Sequence, residues 1–100
     1  MSIVLDDEDV LVPELESELE KDAIDFAKKH GWLVMKFVSP GKRGVPDRIF
    51  IREGRVVFIE FKRSGELPRV QQQKRIKELQ DHGANVYVCD SLTYAYLILR

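Results

Sequence analysis

What this chain is short of narrows the field first. Its 100 residues hold a single cysteine, Cys89, so no disulfide can close within the chain and a reducing compartment suits it. Cys89 sits in the apolar run Val86-Tyr87-Val88-Cys89 and reads as core packing rather than as a reactive thiol. Two histidines, His30 and His82, lie far apart, and with one thiol they leave no zinc ligand set. No apolar stretch is long enough to cross a membrane, and no signal-peptide pattern precedes the first acidic cluster. An intracellular protein is expected. Internal repeats and low-complexity segments are also missing.

Net charge is scarce too, at −1. That average conceals a division. Residues 1–22 carry nine Asp/Glu against Lys21 alone, a balance of −8, whereas residues 23–100 carry fifteen Lys/Arg against eight Asp/Glu, a balance of +7. Such asymmetry points to a basic binding body with an acidic arm. Residues 1–12 are read as that arm, mobile or loosely docked. A sharper alternative has Asp6, Asp7, Glu8 and Asp9 mimic phosphate in a basic groove. Residues 13–100 are read as one domain, long enough to bury a modest core.

Helix, strand and turn signals then alternate. Pro13 opens a helix whose early turns carry Glu14, Glu16 and Glu18, with Leu15, Leu19, Ala23, Phe26 and Ala27 as the buried stripe and Gly31 as its end. Trp32–Phe37 reads as a first strand. Ser39–Gly44 is a polar, glycine-bearing loop flanked by Lys36 and carrying Lys42 and Arg43, read as a phosphate-contacting loop in preference to a plain turn. Strands follow at Pro46–Arg52 and Arg55–Lys62, a turn at Ser64–Pro68, a helix over Arg69–His82, a strand at Asn85–Cys89, and a final helix capped by Ser91 and running through Leu99. In that last helix Leu92, Ala95, Tyr96 and Leu99 form a stripe read as core or dimer contact. Arg69, Lys74, Arg75 and Lys77 decorate the helix after Pro68, where a solvated surface explains each as readily as a DNA contact.

The centre of the chain is Gly44–Lys62. Glu53-Gly54 between two apolar runs is a hairpin signal. With a two-residue loop there, Arg52 pairs with Arg55 and Asp47 lands opposite Glu60. Lys62, two residues on, points to the same face. Two carboxylates ~5 Å apart at an effective dielectric of ~20 repel by about 3 kcal/mol, and a divalent cation between them reverses the sign. A solvated strand end that happens to carry charges is the competing reading.

Gly44-Val45-Pro46-Asp47, an apolar hairpin, Glu60-Phe61-Lys62 and then a glutamine-bearing helix resemble the PD-(D/E)xK nuclease superfamily. Together with Ser39-Pro40-Gly41 and the Gln71-Gln72-Gln73 run, the pattern is similar to the VRR-NUC (virus-type replication-repair nuclease) family over roughly Glu16 to Leu99. The resemblance implies an α/β fold with the αβββαβ core of restriction-endonuclease-like proteins, a mixed central sheet flanked by helices. It also implies a magnesium- or manganese-dependent deoxyribonuclease. Asp47, Glu60 and the backbone carbonyl of Phe61 would be metal ligands, with Glu20 on the first helix reaching the ion directly or through water. Glu20 is selected over Glu16 by its spacing from Gly31. Lys62 would orient the attacking water or steady charge on the phosphate, and Gln72, with Gln71 one slip away, would hold Lys62 or the water.

Lys36, Lys42, Arg43, Gly44 and Arg48 are the expected DNA contacts. The substrate implied is branched DNA such as four-way (Holliday) junctions or flaps in DNA repair, cut by a homodimer without a small-molecule cofactor or a membrane. The expected setting is the cytoplasm or nucleoid of a bacterial or phage-infected cell. A non-catalytic DNA-binding module or assembly subunit on the same fold is the rival reading.

Overall fold

The computed structural model describes residues 15–100. The acidic arm and the Pro13 helix start lie outside them. The described elements run α1 (Glu16–Lys29), β1 (Leu33–Lys36), β2 (Arg48–Arg52), β3 (Arg55–Phe61), α2 (Val70–Asp81), β4 (Asn85–Cys89) and α3 (Leu92–Leu99). The strands form one mixed sheet in the order β1-β2-β3-β4, antiparallel except for the parallel pair β3–β4 that α2 connects. This is the expected α/β order.

The hairpin forms as the sequence demands. Arg52 pairs with Arg55, and Glu53 (φ 51°) and Gly54 (φ 81°) both adopt left-handed backbone, the condition for a tight two-residue reversal that matches strand twist. The ladder runs back through Ile49↔Phe58 to Arg48↔Ile59. Alternation then sends Phe50, Val57, Ile59 and Phe61 into a core with Leu19, Ala23 and Ala27 of α1 and Ala95, Ile98 and Leu99 of α3. Trp32 enters the same core, and its indole N–H donates to the buried carbonyl of Leu99 at 2.7 Å. Arg52 and Arg55 stack over the Trp32 ring and donate to backbone carbonyls at the helix ends, Arg52 to His30 and Arg100 and Arg55 to Ile98. These two cations are structural clamps.

Three sequence expectations shift. Leu15 is exposed: it stands at the N-cap, one residue before α1 begins, and the buried stripe starts at Leu19. In α3, Ile98 is buried and Tyr96 is not; Tyr96 lies at the surface against Phe26, ring centroids 4.2 Å apart. Strands β1, β2 and β3 are shorter at the loop end than the apolar runs suggested, since Asp47 and Lys62 flank the ladder rather than join it.

Candidate active site

The open end of the hairpin is where charge meets core. At Asp47 the backbone carbonyl accepts from Phe37 N–H (3.0 Å), which ties it to the strand beside it. Its carboxylate Oδ2 accepts from Phe61 N–H at 2.8 Å. A side chain thus occupies the donor next to the last β2–β3 pair, and the Asp47 carboxylate is fixed against β3 beside Glu60. Burial raises the Asp47 pKa above the ordinary carboxylate value; the Phe61 N–H works against that, and the charge of Glu20 adds to it.

Glu60 is the most constrained of the group. It is 1% exposed, and neighbouring Lys62 is 8% exposed. Glu60 Oε2 accepts from Gln72 Nε2 at 2.8 Å and lies 3.3 Å from Lys62 Nζ. Glu60 Oε1 is buried with no hydrogen-bond partner among the described residues. Desolvation first, and the Asp47 charge second, push the carboxyl up to about 7, with Lys62 pulling the other way. A buried carboxylate oxygen without a donor is costly. It is also what a cation ligand looks like without its cation, so the donor set fits a hard divalent ion.

Of the glutamine run, Gln72 is the one set against Glu60. Its Oε1 accepts from Arg69 N–H (2.9 Å), so the amide caps the start of α2 with one end and holds the carboxylate with the other. Gln73 instead donates to Pro68 O, and Gln71 is exposed.

Helix α1 brings two acids near. Glu20 Oε2 is 2.6 Å from Arg48 Nε in a half-buried ion pair. Glu16, one turn earlier, has its pKa raised by burial, against the pull of Lys62 and with the charges of Asp47, Glu66 and Glu20 adding to the rise. The charges of both acids therefore reach the hairpin end, Glu20 at Asp47 and Glu16 at Glu60. Among the described residues, no three His, Cys, Asp or Glu converge as a ready-made metal cluster.

The expected DNA contacts divide. Lys36 and Arg43 are exposed, and neither has an ion-pair partner among the described residues. Lys42 is 3.6 Å from Glu78 Oε2, and Arg48 is turned toward α1 by Glu20. Arg75, which the sequence left open between a solvated surface and a DNA contact, donates to the carbonyl of Arg43 (2.9 Å) and pairs with Glu78, lowering the Glu78 pKa. Arg75 lies one turn beyond Gln72 on α2, on the side that reaches the loop.

A mixed sheet with helices on both sides, and a Pro-Asp and Glu-x-Lys pair meeting at its open hairpin end, define the restriction-endonuclease-like nuclease class. Comparison supports the assignment. The chain is 40% identical over 77 residues to “Putative nuclease p44” of Acyrthosiphon pisum secondary endosymbiont phage 1, covering 76% of this chain and 83% of that protein. A solved structure described as a VRR_NUC domain superposes with a TM-score of 0.75 at 25% identity, covering 83% of this chain and 91% of that one. No family model matches the sequence. The chain belongs to the VRR-NUC family of nucleases.

Proposed function

We propose that this protein is a magnesium- or manganese-dependent endodeoxyribonuclease that hydrolyses phosphodiester bonds in branched DNA, such as four-way junctions or flaps. The observation that carries the reading is Glu60: a buried carboxylate with one unpartnered oxygen, set beside Asp47 and braced by Lys62 and Gln72. Asp47, Glu60 and the Phe61 carbonyl are the residues that would hold the cation, with Glu20 as the helix carboxylate. When bound, such a cation supplies a water deprotonated near neutral pH and offsets charge developing on the phosphate.

The chain's own residues do the rest. Gln72 fixes the Glu60 rotamer, Phe61 N–H fixes Asp47, and Lys62 places an ammonium where it can orient the attacking water or steady a phosphate oxygen. Lys36, Arg43 and the backbone at Gly44 meet DNA phosphates. Lys42 joins them on leaving Glu78, whereas Arg48 acts through Glu20. Phosphate contacts give affinity without sequence information, so selectivity by DNA shape is the natural outcome.

A two-fold homodimer would present two such sites to a two-fold junction. The apolar Leu33, Met35 and Val38, exposed on and beside edge strand β1, support a face for the second copy. No helix among the described residues is long and apolar enough to cross a membrane. An intracellular setting, in a bacterial or phage-infected cell, is part of the proposal and accords with the phage source of the relative.

Cleavage of labelled junctions, flaps, duplexes and single strands in magnesium, manganese or chelator tests this. Cation-dependent cutting of branched substrates is expected, and it should vanish in Asp47→Asn. Binding without cutting on any substrate would instead favour the non-catalytic module.

A further inference from the structure

Beside the candidate site, between Gly44 and the first turn of α2, lies a recess of about 320 Å3 lined by Arg43, Gly44, Arg69, Gln71 and Gln72. Its charge is of one sign. Both ionisable residues in its wall are arginines, both are exposed, and neither has a carboxylate within ion-pair distance among the described residues. The nearby cations differ: Lys42 and Arg75 share Glu78, and Arg48 holds Glu20.

The helix end adds a second, independent oddity. The first turn of α1 carries Glu16 and Glu18, the usual complement to the positive end of a helix. The first turn of α2 carries no acid, and a cation, Arg69, stands at its N-cap. A guanidinium has no acceptor to offer the free N–H groups of that turn, and its charge opposes the helix dipole. Gln72 caps the Arg69 N–H, but the Arg69 charge still opposes the helix dipole, a cost that an anion in the recess would offset.

The recess is also built closely. Gly44 (φ 82°) packs so tightly on the helix that a Cβ there would sit 2.7 Å from the Gln71 carbonyl oxygen. Arg43, next to Gly44, and Arg69, at the start of α2, line this one recess. Gln72 lines the recess and donates to Glu60, so recess and carboxylate pair share one side chain.

We propose that Arg43 and Arg69 form a phosphate subsite that grips a backbone phosphodiester of the bound strand next to the one being cut. This rests on the nuclease reading and adds Arg69 to it as a strand-positioning residue. Two arginines can each make bidentate contacts with phosphate oxygens, a geometry that lysine does not reproduce.

The test is the affinity of the full chain for a fluorescent four-way junction, measured by anisotropy in chelator across a range of salt. Each lost phosphate contact should flatten the log–log salt slope by about 0.7–0.9. Arg69→Ala is expected to weaken binding at low salt and flatten the slope by about one contact, Arg43→Ala/Arg69→Ala by about two. Arg69→Lys should recover the slope but only part of the affinity. Lys77→Ala, which removes a cation paired with Asp81 outside the recess, should change neither. Unchanged slope and affinity in both arginine variants, with native circular dichroism, would overturn the subsite, as would wild-type protein that binds no DNA. Cutting by the wild type, scored in magnesium in parallel, separates the two claims. Cleavage with arginine-independent binding defeats the subsite alone, and arginine-dependent binding without cleavage defeats the nuclease reading alone.

Discussion

Glu60 is a carboxylate held where water cannot reach it, and that has a cost that depends on pH. Its pKa stands near 7 against an ordinary 4.5. Between those values the folded chain keeps a proton that the unfolded chain has released, so stability falls as pH rises across that window. The contribution is whole below about 4.5 and gone above 7. Its size is about 3 kcal/mol at most. Asp47, also raised, acts in the same direction. Thermal unfolding of the metal-free protein should therefore show a midpoint that drops from pH 5 to pH 8. Glu60→Gln should flatten that drop and raise the midpoint at pH 8 while eliminating cleavage. A variant less stable than wild type at pH 8 would mean that Glu60 serves the fold rather than the chemistry.

The helix carboxylate poses a second residue-scale question, because α1 offers two. Glu20 is expected to carry the role, so Glu20→Gln should lower the cleavage rate on the order of tenfold or more while Glu16→Gln lowers it less. Single-turnover rates on one junction substrate decide it. The reverse order would hand the role to Glu16, the acid that senses Lys62.

Among the elements, the loop before β2 and the start of α2 act as one unit. Arg75 holds the Arg43 carbonyl, Lys42 reaches Glu78, and Gly44 lies flat against Gln71. Gly44→Ala must both strain a left-handed backbone and push a carbonyl oxygen away. A loss of about 1–3 kcal/mol is expected in denaturant unfolding. Because Gln72 moves with that turn, cleavage should fall further than stability explains. Wild-type stability and activity in the Gly44→Ala variant would mean that the loop is not seated on the helix as described.

Much of this element structure was legible beforehand. Glu53-Gly54 between apolar runs dictates the reversal, and strand alternation then delivers Asp47, Glu60 and Lys62 to one end. The family resemblance pointed to Gln72 within its run, with Gln71 one slip away. Pairing partners were not legible. Lys42 and Arg48 looked like free cations because the acids that meet them, Glu78 and Glu20, are 36 and 28 residues away in sequence and arrive only through packing. Nor does a pattern show that the Asp47 carboxylate will take the Phe61 N–H, which is a matter of local backbone geometry.

For the whole molecule, the sheet has unequal faces. One is sealed by α1 and α3. On the other, register puts Leu33, Ile51 and Val56 in one row and Met35, Ile49 and Phe58 in the next, with Leu33 and Met35 about half exposed. If the proposed homodimer uses this face, Leu33→Asp/Met35→Asp should halve the mass by sedimentation equilibrium without unfolding the chain, because neither side chain is in the core. It should also slow paired cutting of a four-way junction more than nicking of a flap. A wild-type protein that is monomeric at all concentrations would remove the dimer from the account.

The claim on which the rest depends is that β2 and β3 bring Asp47 and Glu60 to a common cation. Anomalous diffraction from crystals grown with manganese addresses it directly. The account predicts a peak about 2.2 Å from a carboxylate oxygen of each residue, with Glu60 Oε1 now engaged. A peak elsewhere, or none between these two acids in protein that cleaves DNA, would contradict it.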